Sequence, residues 1–522
     1  MKNKSGAEYS GRTCGTCHPA FNWKKMAWGL VVFVLLQLLW PGSGFHAAPL
    51  DGQAEPISDI ALQKSIVQLK VYPVSRNYLY PWSKRPGQPL TVFGIVVPHK
   101  RVLVRAEDVR SAVLMQARKY SSYELAEAKV EHLDMESNLA LVTIDQPGFF
   151  DDLLALPAGP DLAVGATAVA VKLDSVFQAY REDVRIQRQK VVADFGFTHL
   201  PVQVCQGDAD FASGGLIIAG HTLRGMVAYA KSGTMEILPV SVMNEYRKRA
   251  LVGQPAFASA GFYLGSMIDP ARREYYQMPA NLSGALVKRV LPGTSAWNVL
   301  QKNDVLLAID GKLVDNAGYI GDAQTGQKLP ALMHFVKGGS SLRHPGDVLQ
   351  LQVLRKGQQQ TLEMTLKAYR GGAERIPWLL NEEPPYLLEG GFLFLELSLP
   401  LLRQVYGSDW KGRNPELSMI FNSRQFYTKP GQDRIVILAQ VFPDPVTRGF
   451  EGFRMQPVRL VNGKAPFNLT RMRKIIADQV SAGQAFLHLE LSGGQQIVVD
   501  LQNRDQINQR IKERYAIPAN DT

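Results

Sequence analysis

Short stretches in which apolar and polar residues alternate dominate the hydrophobic pattern of the chain. In residues 65–71 (SIVQLKV), Val67, Leu69 and Val71 alternate with polar residues, which is typical of a strand that is buried on one face. Comparable stretches, separated by Gly, Pro or Asp turns, recur up to about residue 245, at 91–97, 101–104, 139–144, 167–173 and 215–220. Many short strands with such turns predict an all-β barrel or sandwich. Residues 49–62, ahead of the first strand, have the pattern of a linker.

Beyond residue 255 the order of the predicted elements repeats once. Residues 284–311 predict a strand, a turn, a short helix and a second strand that ends in an Asp-Gly turn, and residues 348–367 predict a hairpin. Residues 436–501 follow a similar order, with a helix at 470–480 and a hairpin at 486–501. This similarity indicates a tandem duplication. Each unit has about 100 residues, the size of one small domain.

An apolar run near the N-terminus indicates export. Residues 26–40 (MAWGLVVFVLLQLLW) follow Lys24 and Lys25 and precede a segment rich in small residues and proline. The run is shorter than the roughly 20 residues that a membrane-spanning helix needs. A basic segment, a short apolar segment and then small residues are the layout of a secretory signal. We therefore predict export with cleavage near Ala48, and an uncleaved membrane anchor is the alternative.

The tail before this run contains Cys14 and Cys17 followed by His18, the spacing of covalent haem attachment. Haem is attached outside the cytoplasm, whereas residues upstream of a signal remain inside. We interpret the motif as a chance match, or as the result of a start codon placed upstream of a true start at Met26. Cys205 is the only cysteine after the signal, so no intrachain disulfide can form in the exported part.

Composition and charge exclude several classes of protein. The chain has 522 residues, of which 46% are hydrophobic and 20% charged, and at about 150 residues per domain this length predicts three or four domains. Such values exclude a mainly disordered, collagen-like or multi-span membrane protein. The net charge is +11, but residues 1–25 hold five Lys/Arg and one Glu and so account for +4 of it. The remaining +7 is spread over the rest of the chain and gives no reason to expect nucleic-acid binding.

Residues 284–311 (GALVKRVLPGTSAWNVLQKNDVLLAIDG), preceded by Tyr263-Leu264-Gly265-Ser266, carry a resemblance to a known family. The P-G-T-S-A turn and the D-V-L-L-A-I-D-G strand resemble a PDZ domain of the Deg/HtrA protease type. Residues 375–406, with an R-I-P segment, a G-G-F-L-F strand and a P-L-L helix start, resemble the second PDZ-like module of one Deg branch. The resemblance covers residues 60–517.

This resemblance implies a mainly β fold: a trypsin-like double β-barrel followed by two α+β PDZ-like domains. The implied boundaries are an N-terminal tail and signal or anchor at 1–48, a degenerate trypsin-like domain at 60–248, a PDZ domain at 256–370 and a second PDZ-like domain at 375–517. PDZ domains add a peptide as an extra strand and hold its C-terminal carboxylate on backbone N–H groups. The resemblance places that carboxylate-binding loop at Tyr263, Leu264, Gly265 and Ser266, although its last position is usually apolar.

Matching the family motifs to this sequence residue by residue reveals three departures in the catalytic triad and its surroundings. Glu107 stands where the family has the catalytic histidine, and Asn138 stands where it has the aspartate. Ser213 is retained at the nucleophile position, whereas Phe211 replaces the glycine that supplies an oxyanion N–H. A serine hydroxyl is a weak nucleophile without a neighbouring base, and a solvated carboxylate is a far weaker base than imidazole.

We therefore expect a pseudoprotease that binds peptide C-termini or unfolded protein segments. It would act as a scaffold, chaperone-like protein or regulatory subunit in the periplasm or on the periplasmic face of the inner membrane. It would assemble as a homo-oligomer or as a mixed oligomer with an active paralogue, and contact a membrane only through an uncleaved N-terminal segment. The alternative is a serine endopeptidase with an unconventional active site, in which Glu107 is tuned by burial or in which a distant histidine takes over the role of the base. The three histidines considered are His99, His132 and His199.

No cofactor or metal site is expected. Phosphate-binding and zinc-binding motifs were not found in the exported part. Asp208 and Asp210, close to Ser213, form at most two ligands on one loop and fit solvated turn residues better than a metal site.

Overall fold

The structure, a computed structural model, describes residues 57–518 except 121, 193–199, 213, 254–256, 322–327, 339–340, 369–374, 378, 380–381 and 425–433. The predicted tail, the Cys14–His18 motif, the apolar run and the cleavage site near Ala48 all lie outside these residues, as do Ser213 and His199.

A short helix, α1 (Asp59–Ser65), stands where the pattern predicted the end of a linker. Ser58 caps it, because the Ser58 side chain accepts a hydrogen bond from the Ala61 N–H at 3.3 Å. Leu62 is fully buried and fixes the helix to the core. The linker prediction was therefore wrong for residues 59–62, since one cap and one buried leucine are too weak a signal to distinguish a helix this short.

The first sheet is a closed β-barrel. Its elements are β1 (Ile66–Arg76), β2 (Lys84–Pro86), β3 (Leu90–Val97), β4 (Arg101–Arg105), the helical turn α2 (Ala106–Val109), β5 (Ala112–Arg118), β6 (Ala126–Asp134) and β7 (Leu139–Ile144). The strand order is β2-β1-β3-β4-β7-β6-β5, and β1 also pairs with β5, which closes a barrel of six strands. Gly94 faces its interior, where an added Cβ would lie 2.4 Å from Val102 Cγ1 and 2.7 Å from Val104 Cγ1.

The second sheet contains seven antiparallel strands. They are β8 (Thr167–Leu173), β9 (Ala179–Arg185), β10 (Arg188–Val192), β11 (Leu200–Gln206), β12 (Leu216–Ala219), β13 (Thr222–Lys231) and β14 (Thr234–Pro239). Their order is β10-β11-β14-β13-β12-β8-β9. A 3₁₀ turn, Ala209–Ala212, precedes β12, and helix α3 (Val240–Leu251) follows β14.

An apolar layer joins the two sheets. Because successive side chains of a strand point to opposite faces, Val102 and Val104 of β4 lie inside the first barrel and Leu103 lies in this layer. The layer also receives Leu141 from the first sheet and Leu216 from the second. Helix α3 covers it with further buried side chains: Val240, Val242, Met243, Tyr246 and Ala250.

The next region is α+β. Its strands are β15 (Ala258–Ser259), β16 (Phe262–Gly265), β17 (Ala285–Val290), β18 (Val305–Ile309), β19 (Lys312–Leu313), β20 (Tyr319–Gly321), β21 (Lys328–Pro330), β22 (Lys337–Gly338), β23 (Ser341–Leu342), β24 (Val348–Arg355), β25 (Gln358–Thr365) and β26 (Lys367–Ala368). The main sheet has the order β16-β17-β18-β24-β25, so that β16 is an outermost strand. Helix α4 (Pro270–Tyr275) follows β16, and Ala331–Phe335 form a 3₁₀ helix. The short helix predicted within 284–311 was wrong, because residues 292–299 form consecutive turns.

This α+β region also contacts the barrels. Val336 and Leu342 belong to the same apolar layer as Met243 of α3. Lys337 Nζ lies 2.6 Å from Asp161 Oδ2 in a largely buried ion pair. The region is therefore held against the second sheet by both apolar and ionic contacts.

The C-terminal region forms one sheet with helices around it. Its strands are β27 (Tyr386–Glu389), β28 (Phe392–Glu396), β29 (Val436–Val441), β30 (Gln456–Val461), β31 (Phe486–Leu491) and β32 (Gln496–Asp500), in that spatial order. Its helices are α5 (Leu399–Tyr406), α6 (Trp410–Arg413), α7 (Pro415–Arg424), α8 (Leu469–Ser481) and α9 (Arg504–Arg514), with a 3₁₀ turn at Pro445–Thr447. The helix predicted at 470–480 and the hairpin predicted at 486–501 are both present.

Residues 77–82, in the connection between β1 and β2, contact this C-terminal region. The rings of Trp82 and Tyr386 lie 5.2 Å apart. The Tyr78 N–H donates to Gln404 Oε1 at 2.8 Å, and the Tyr78 hydroxyl donates to the Leu379 carbonyl at 3.1 Å. Residues about three hundred positions apart in the chain are thus joined by both aromatic packing and hydrogen bonds.

The predicted fold class is confirmed: the protein is mainly β, with a β-barrel in the trypsin-like part and α+β modules after it. The residue boundaries given for the four segments remain predictions.

We expect Trp82→Ala to lower the free energy of unfolding by about 2–4 kcal/mol, because it removes a half-buried aromatic side chain from the contact with Tyr386. Thermal and urea unfolding of the full chain measure this. Tyr123→Ala is the matched control, since Tyr123 is 94% exposed and its loss should cost less than about 0.5 kcal/mol. Equal stability of the two variants would contradict a stabilising contact at Trp82.

Candidate functional site

Glu107 and Asn138, the residues at the predicted histidine and aspartate positions, are neighbours in the structure. Arg105, at the end of β4, pairs with Leu139, at the start of β7. The residues after Arg105 and those before Leu139 therefore leave the sheet at the same end. The Glu107 N–H donates to Asn138 Oδ1 at 2.8 Å, and the Ala106 N–H donates to the Asn138 carbonyl at 2.9 Å.

Asn138 serves as a structural residue of the turn between β6 and β7. Its φ of 55° lies in the left-handed region, which asparagine tolerates better than most residues. Its side-chain oxygen is already engaged with the backbone of Glu107, whose own side chain is exposed. The amide of Asn138 thus shapes the backbone where the family motif has a carboxylate.

A carboxylate does lie in the same turn, but its oxygens are occupied. Asp134 accepts hydrogen bonds from the Glu136 N–H at 3.1 Å, from the Ser137 N–H at 3.0 Å and from the Ser137 hydroxyl at 2.5 Å. Burial raises the pKa of Asp134 above its ordinary value, although these hydrogen bonds oppose the shift. Asp134 therefore stabilises the turn.

The other acidic residue of α2 is also paired. Asp108 receives two hydrogen bonds from Arg105, at 2.8 and 2.6 Å. Arg105 also donates to the Ala228 carbonyl of β13 at 3.2 Å. Arg105 therefore connects the end of β4, next to Glu107, to the second sheet.

Phe211, at the predicted oxyanion position, is a core residue. Its side chain is 6% exposed and packs in the interior of the second sheet with Cys205, Ile217 and Val227. Its N–H donates to the Asp208 carbonyl at 3.3 Å. Ser213, the second oxyanion position and the retained nucleophile position, lies outside the described residues.

Of the histidines considered as a replacement base, His99 and His132 are described. His99 precedes β4 and Glu107 follows it. The two residues are therefore separated by at least the length of this strand, which is about 13 Å for four steps of about 3.3 Å from its first residue to its last. His132 pairs with Leu141 across β6 and β7, and its carbonyl accepts a hydrogen bond from the Tyr246 hydroxyl at 3.1 Å. Neither lies in the turn that holds Glu107 and Asn138.

Asp208 and Asp210, the carboxylates considered as metal ligands, belong to one turn. Asp208 Oδ1 accepts a hydrogen bond from the Asp210 N–H at 2.9 Å. Among the described residues there is no group of three or more His, Cys, Asp or Glu residues that could hold a metal ion. Cys205 is buried, and burial raises its pKa to about 11, so that the thiol stays protonated at neutral pH.

The four residues predicted to form a carboxylate-binding loop are mostly strand. Tyr263, Leu264 and Gly265 belong to β16, and Ser266 follows it. Tyr263 pairs with Arg289 of β17, Leu264 pairs with Val287, and a bulge separates the two pairs. Pairing on one side only leaves the opposite edge of β16 outermost in its sheet, which is the geometry that accepts an added strand.

The corresponding edge in the C-terminal region is covered. Gly261 directly precedes β16 and Gly391 directly precedes β28, with positive φ at both glycines, and both strands begin with phenylalanine. β28, however, lies between β27 and β29. The Gly390 N–H, in the turn before β28, donates to Asn508 Oδ1 of α9 at 2.8 Å. A strand and a helix of the chain itself thus occupy this edge and the adjoining turn.

Charged groups hold α9 against this turn. The buried Glu389 carboxylate accepts hydrogen bonds from Arg504 at 2.7 Å and Asn508 at 3.3 Å. Burial raises the pKa of Glu389, and the Arg504 contact opposes that rise. Asp444 accepts hydrogen bonds from Arg510 at 2.7 and 3.0 Å. The sequence contained no sign of these contacts, because they join residues between about 65 and 120 positions apart.

Comparisons with known proteins agree with the fold and its organisation. The model of a PDZ domain matches residues 378–522. The chain is 23% identical to Putative protease Do-like 13 of Arabidopsis thaliana over 478 residues, covering 89% of this chain and 90% of that protein. It is 24% identical to Protease Do-like 4, mitochondrial, of the same organism over 478 residues, covering 88% of this chain and 85% of the relative.

Among solved structures, the HtrA-type protease AlgW with decapeptide is similar, at 16% identity and a TM-score of 0.43, and the match covers 60% of this chain and 100% of that chain.

A closed β-barrel paired with a second antiparallel sheet and followed by PDZ-type modules defines a trypsin-like protein with PDZ domains. With relatives that match along most of its length, the chain is a Deg/HtrA-like protein. Within the part of the chain that the structure describes, no helix has the length and apolar character needed to cross a membrane.

We expect Asn138→Ala to lower the free energy of unfolding by about 1.5–3 kcal/mol, because it removes the acceptor of the Glu107 N–H and places alanine in the left-handed region. Asn138→Gly loses only the hydrogen bond and should cost about 0.5–1.5 kcal/mol. Urea unfolding of both variants measures the difference. Wild-type stability of Asn138→Ala would show that the side chain has no structural role in the turn.

Proposed function

We propose that this Deg/HtrA-like protein is a pseudoprotease that binds protein C-termini or unfolded segments at β16. The observation that carries the proposal is the pairing of Glu107 with Asn138 through a backbone N–H and an amide oxygen. The two positions are neighbours, joined through the Glu107 backbone, and neither side chain is suited to the chemistry of a catalytic triad.

Catalysis by a serine hydroxyl requires a base that takes its proton and a carboxylate that orients the resulting imidazolium. Glu107 is an exposed carboxylate on a helical turn, and a solvated carboxylate is a far weaker general base than imidazole. An amide at position 138 carries no charge to stabilise an imidazolium. Both features support a loss of catalysis.

The position of Phe211 supports the same conclusion. An oxyanion hole needs backbone N–H groups that point at the reacting oxygen. The Phe211 N–H instead donates within its own 3₁₀ turn, and its side chain is anchored in the core. Reorienting this backbone would require removing the phenyl ring from its packing.

The uncovered edge of β16 supports peptide binding, because strand addition uses backbone groups that do not depend on a catalytic triad. The covered edge of β28 supports a different role for the C-terminal module. Its turn is already bonded to Asn508, and residues 77–82 pack on it. We infer that this module serves assembly and interdomain stability.

This function fits a scaffold, chaperone-like protein or regulatory subunit in envelope protein quality control. It would be exported to the periplasm or its inner-membrane face, and would act as a homo-oligomer or in a mixed oligomer with an active paralogue. Membrane contact would come only from an uncleaved N-terminal segment.

We expect an active-site fluorophosphonate probe to leave the full-length protein unlabelled, because no base activates Ser213. Labelling is detected by in-gel fluorescence and mass spectrometry, with an active serine protease as positive control and Ser213→Ala as negative control. Labelling that disappears in Ser213→Ala would overturn the pseudoprotease proposal and favour a serine endopeptidase with an unconventional base.

We also expect Glu107→His combined with Asn138→Asp to give little casein cleavage, because the oxyanion position is still Phe211. Adding Phe211→Gly should not restore full activity either, since emptying this part of the core costs about 3–5 kcal/mol. Cleavage assays and thermal unfolding of the double and triple variants measure both effects. Strong cleavage by the double variant would show that Phe211 does not impair the oxyanion site.

A further inference from the structure

We propose that the β16 edge selects C-terminal segments that carry acidic side chains beside the terminal carboxylate, and that Lys288 and Arg272 confer this selectivity. The inference rests on the proposed peptide binding at β16 and names the class of peptide. It is carried by two cationic side chains that converge on Gly265 and Ser266.

Lys288 lies across Gly265. It belongs to β17, and its side chain passes over the neighbouring strand, because a Cβ built on Gly265 would lie 2.8 Å from Lys288 Cδ, 3.0 Å from Cγ and 3.2 Å from Cε. The shortest of these distances is too short for a real Cβ, and the other two are tighter than most Cβ contacts. The absence of a side chain at Gly265 therefore makes room for the lysine stem.

The length of this stem allows its charge to reach β16. Adjacent strands lie about 4.8 Å apart, and the four-carbon stem of an extended lysine spans that distance. Three successive carbons of Lys288 already lie over Gly265, so the ammonium group that follows them is carried to β16 or beyond it. A strand added to the outer edge of β16 would place its residues beside this ammonium.

Arg272 brings a second cation to the same point. It lies in α4 and is exposed, and its guanidinium donates to the Ser266 carbonyl at 2.9 Å. Neither Lys288 nor Arg272 forms an ion pair with any residue that the structure describes. Of the two carboxylates close to Arg272 in sequence, Glu274 is exposed and Asp269 caps α4 by accepting the Ala271 N–H at 3.0 Å.

Two cations that form no ion pair among the described residues, beside the outermost strand of a sheet, form a surface that favours carboxylates. A peptide C-terminus supplies one carboxylate, and Asp or Glu residues just before it supply more. Ion pairs at exposed sites contribute modestly, so each should increase affinity by about two- to fivefold at low salt. Screening by salt should reduce that increase.

The test uses the full-length protein and two fluorescein-labelled decapeptides that end in the same valine. One has Asp at the three positions before the valine and the other has Asn there, and binding is followed by fluorescence anisotropy. We expect about three- to tenfold tighter binding of the Asp peptide at 50 mM NaCl, from one or two exposed ion pairs, and nearly equal binding at 500 mM NaCl.

Lys288→Met keeps the aliphatic stem over Gly265 and removes the charge, so it should weaken the Asp peptide more than the Asn peptide and reduce the preference at least twofold. Lys288→Glu should reverse the preference. Lys312→Met, a change of the same kind at an exposed lysine on β19, should leave it unchanged. Thermal unfolding confirms that each variant is folded as in the wild type.

The outcomes separate this inference from the proposed function. Equal binding of both peptides at low salt, or an unchanged preference in Lys288→Met, would overturn the inference and leave peptide binding in place. No binding of either peptide would overturn the proposed function itself, and the selectivity inference with it. If Lys312→Met changed the preference as much as Lys288→Met does, the effect would come from the overall charge of the protein. That result would also overturn the inference.

Discussion

The apolar layer between the two sheets is the contact on which the rest of the structure depends. Strands such as β4 supply both this layer and the barrel interior, because successive side chains point to opposite faces. Each buried aliphatic side chain contributes about 1.5–3 kcal/mol. Helix α3 closes the layer with Tyr246, and Val336 and Leu342 of the α+β region extend it. The strands that carry the candidate site and the α+β region after α3 therefore pack against the same apolar layer.

This dependence explains why the barrel fold does not rely on the identities of the residues at the predicted catalytic positions. The turn that brings Asn138 to Glu107 is set by the pairing of β4 with β7 and by hydrogen bonds to Asp134, none of which requires a histidine or a catalytic aspartate. Phe211 adds packing to the second sheet at the predicted oxyanion position. The residues at the predicted catalytic positions thus contribute to the stability of the fold.

The two PDZ-type modules use similar strands differently. β16 is outermost in its sheet, whereas β28 is flanked by β27 and its turn is bonded to α9. In the first module, the outer edge of β16 has no neighbouring strand among the described residues. The second has already satisfied the same backbone groups internally, and its contact with Trp82 binds it to the barrel instead.

The sequence by itself determined the strands and the identities of the residues at the predicted catalytic positions. Alternation predicted 139–144 and 167–173 with the bounds that the structure has, because an alternating face is a local property. The identities of Glu107, Asn138 and Phe211 were likewise readable residue by residue. Only the tertiary structure decided that Asn138 holds the Glu107 backbone, that Phe211 is buried, that β16 is outermost and that Lys288 crosses Gly265. These facts depend on which distant strands pair and pack, and no local pattern of residues encodes that choice.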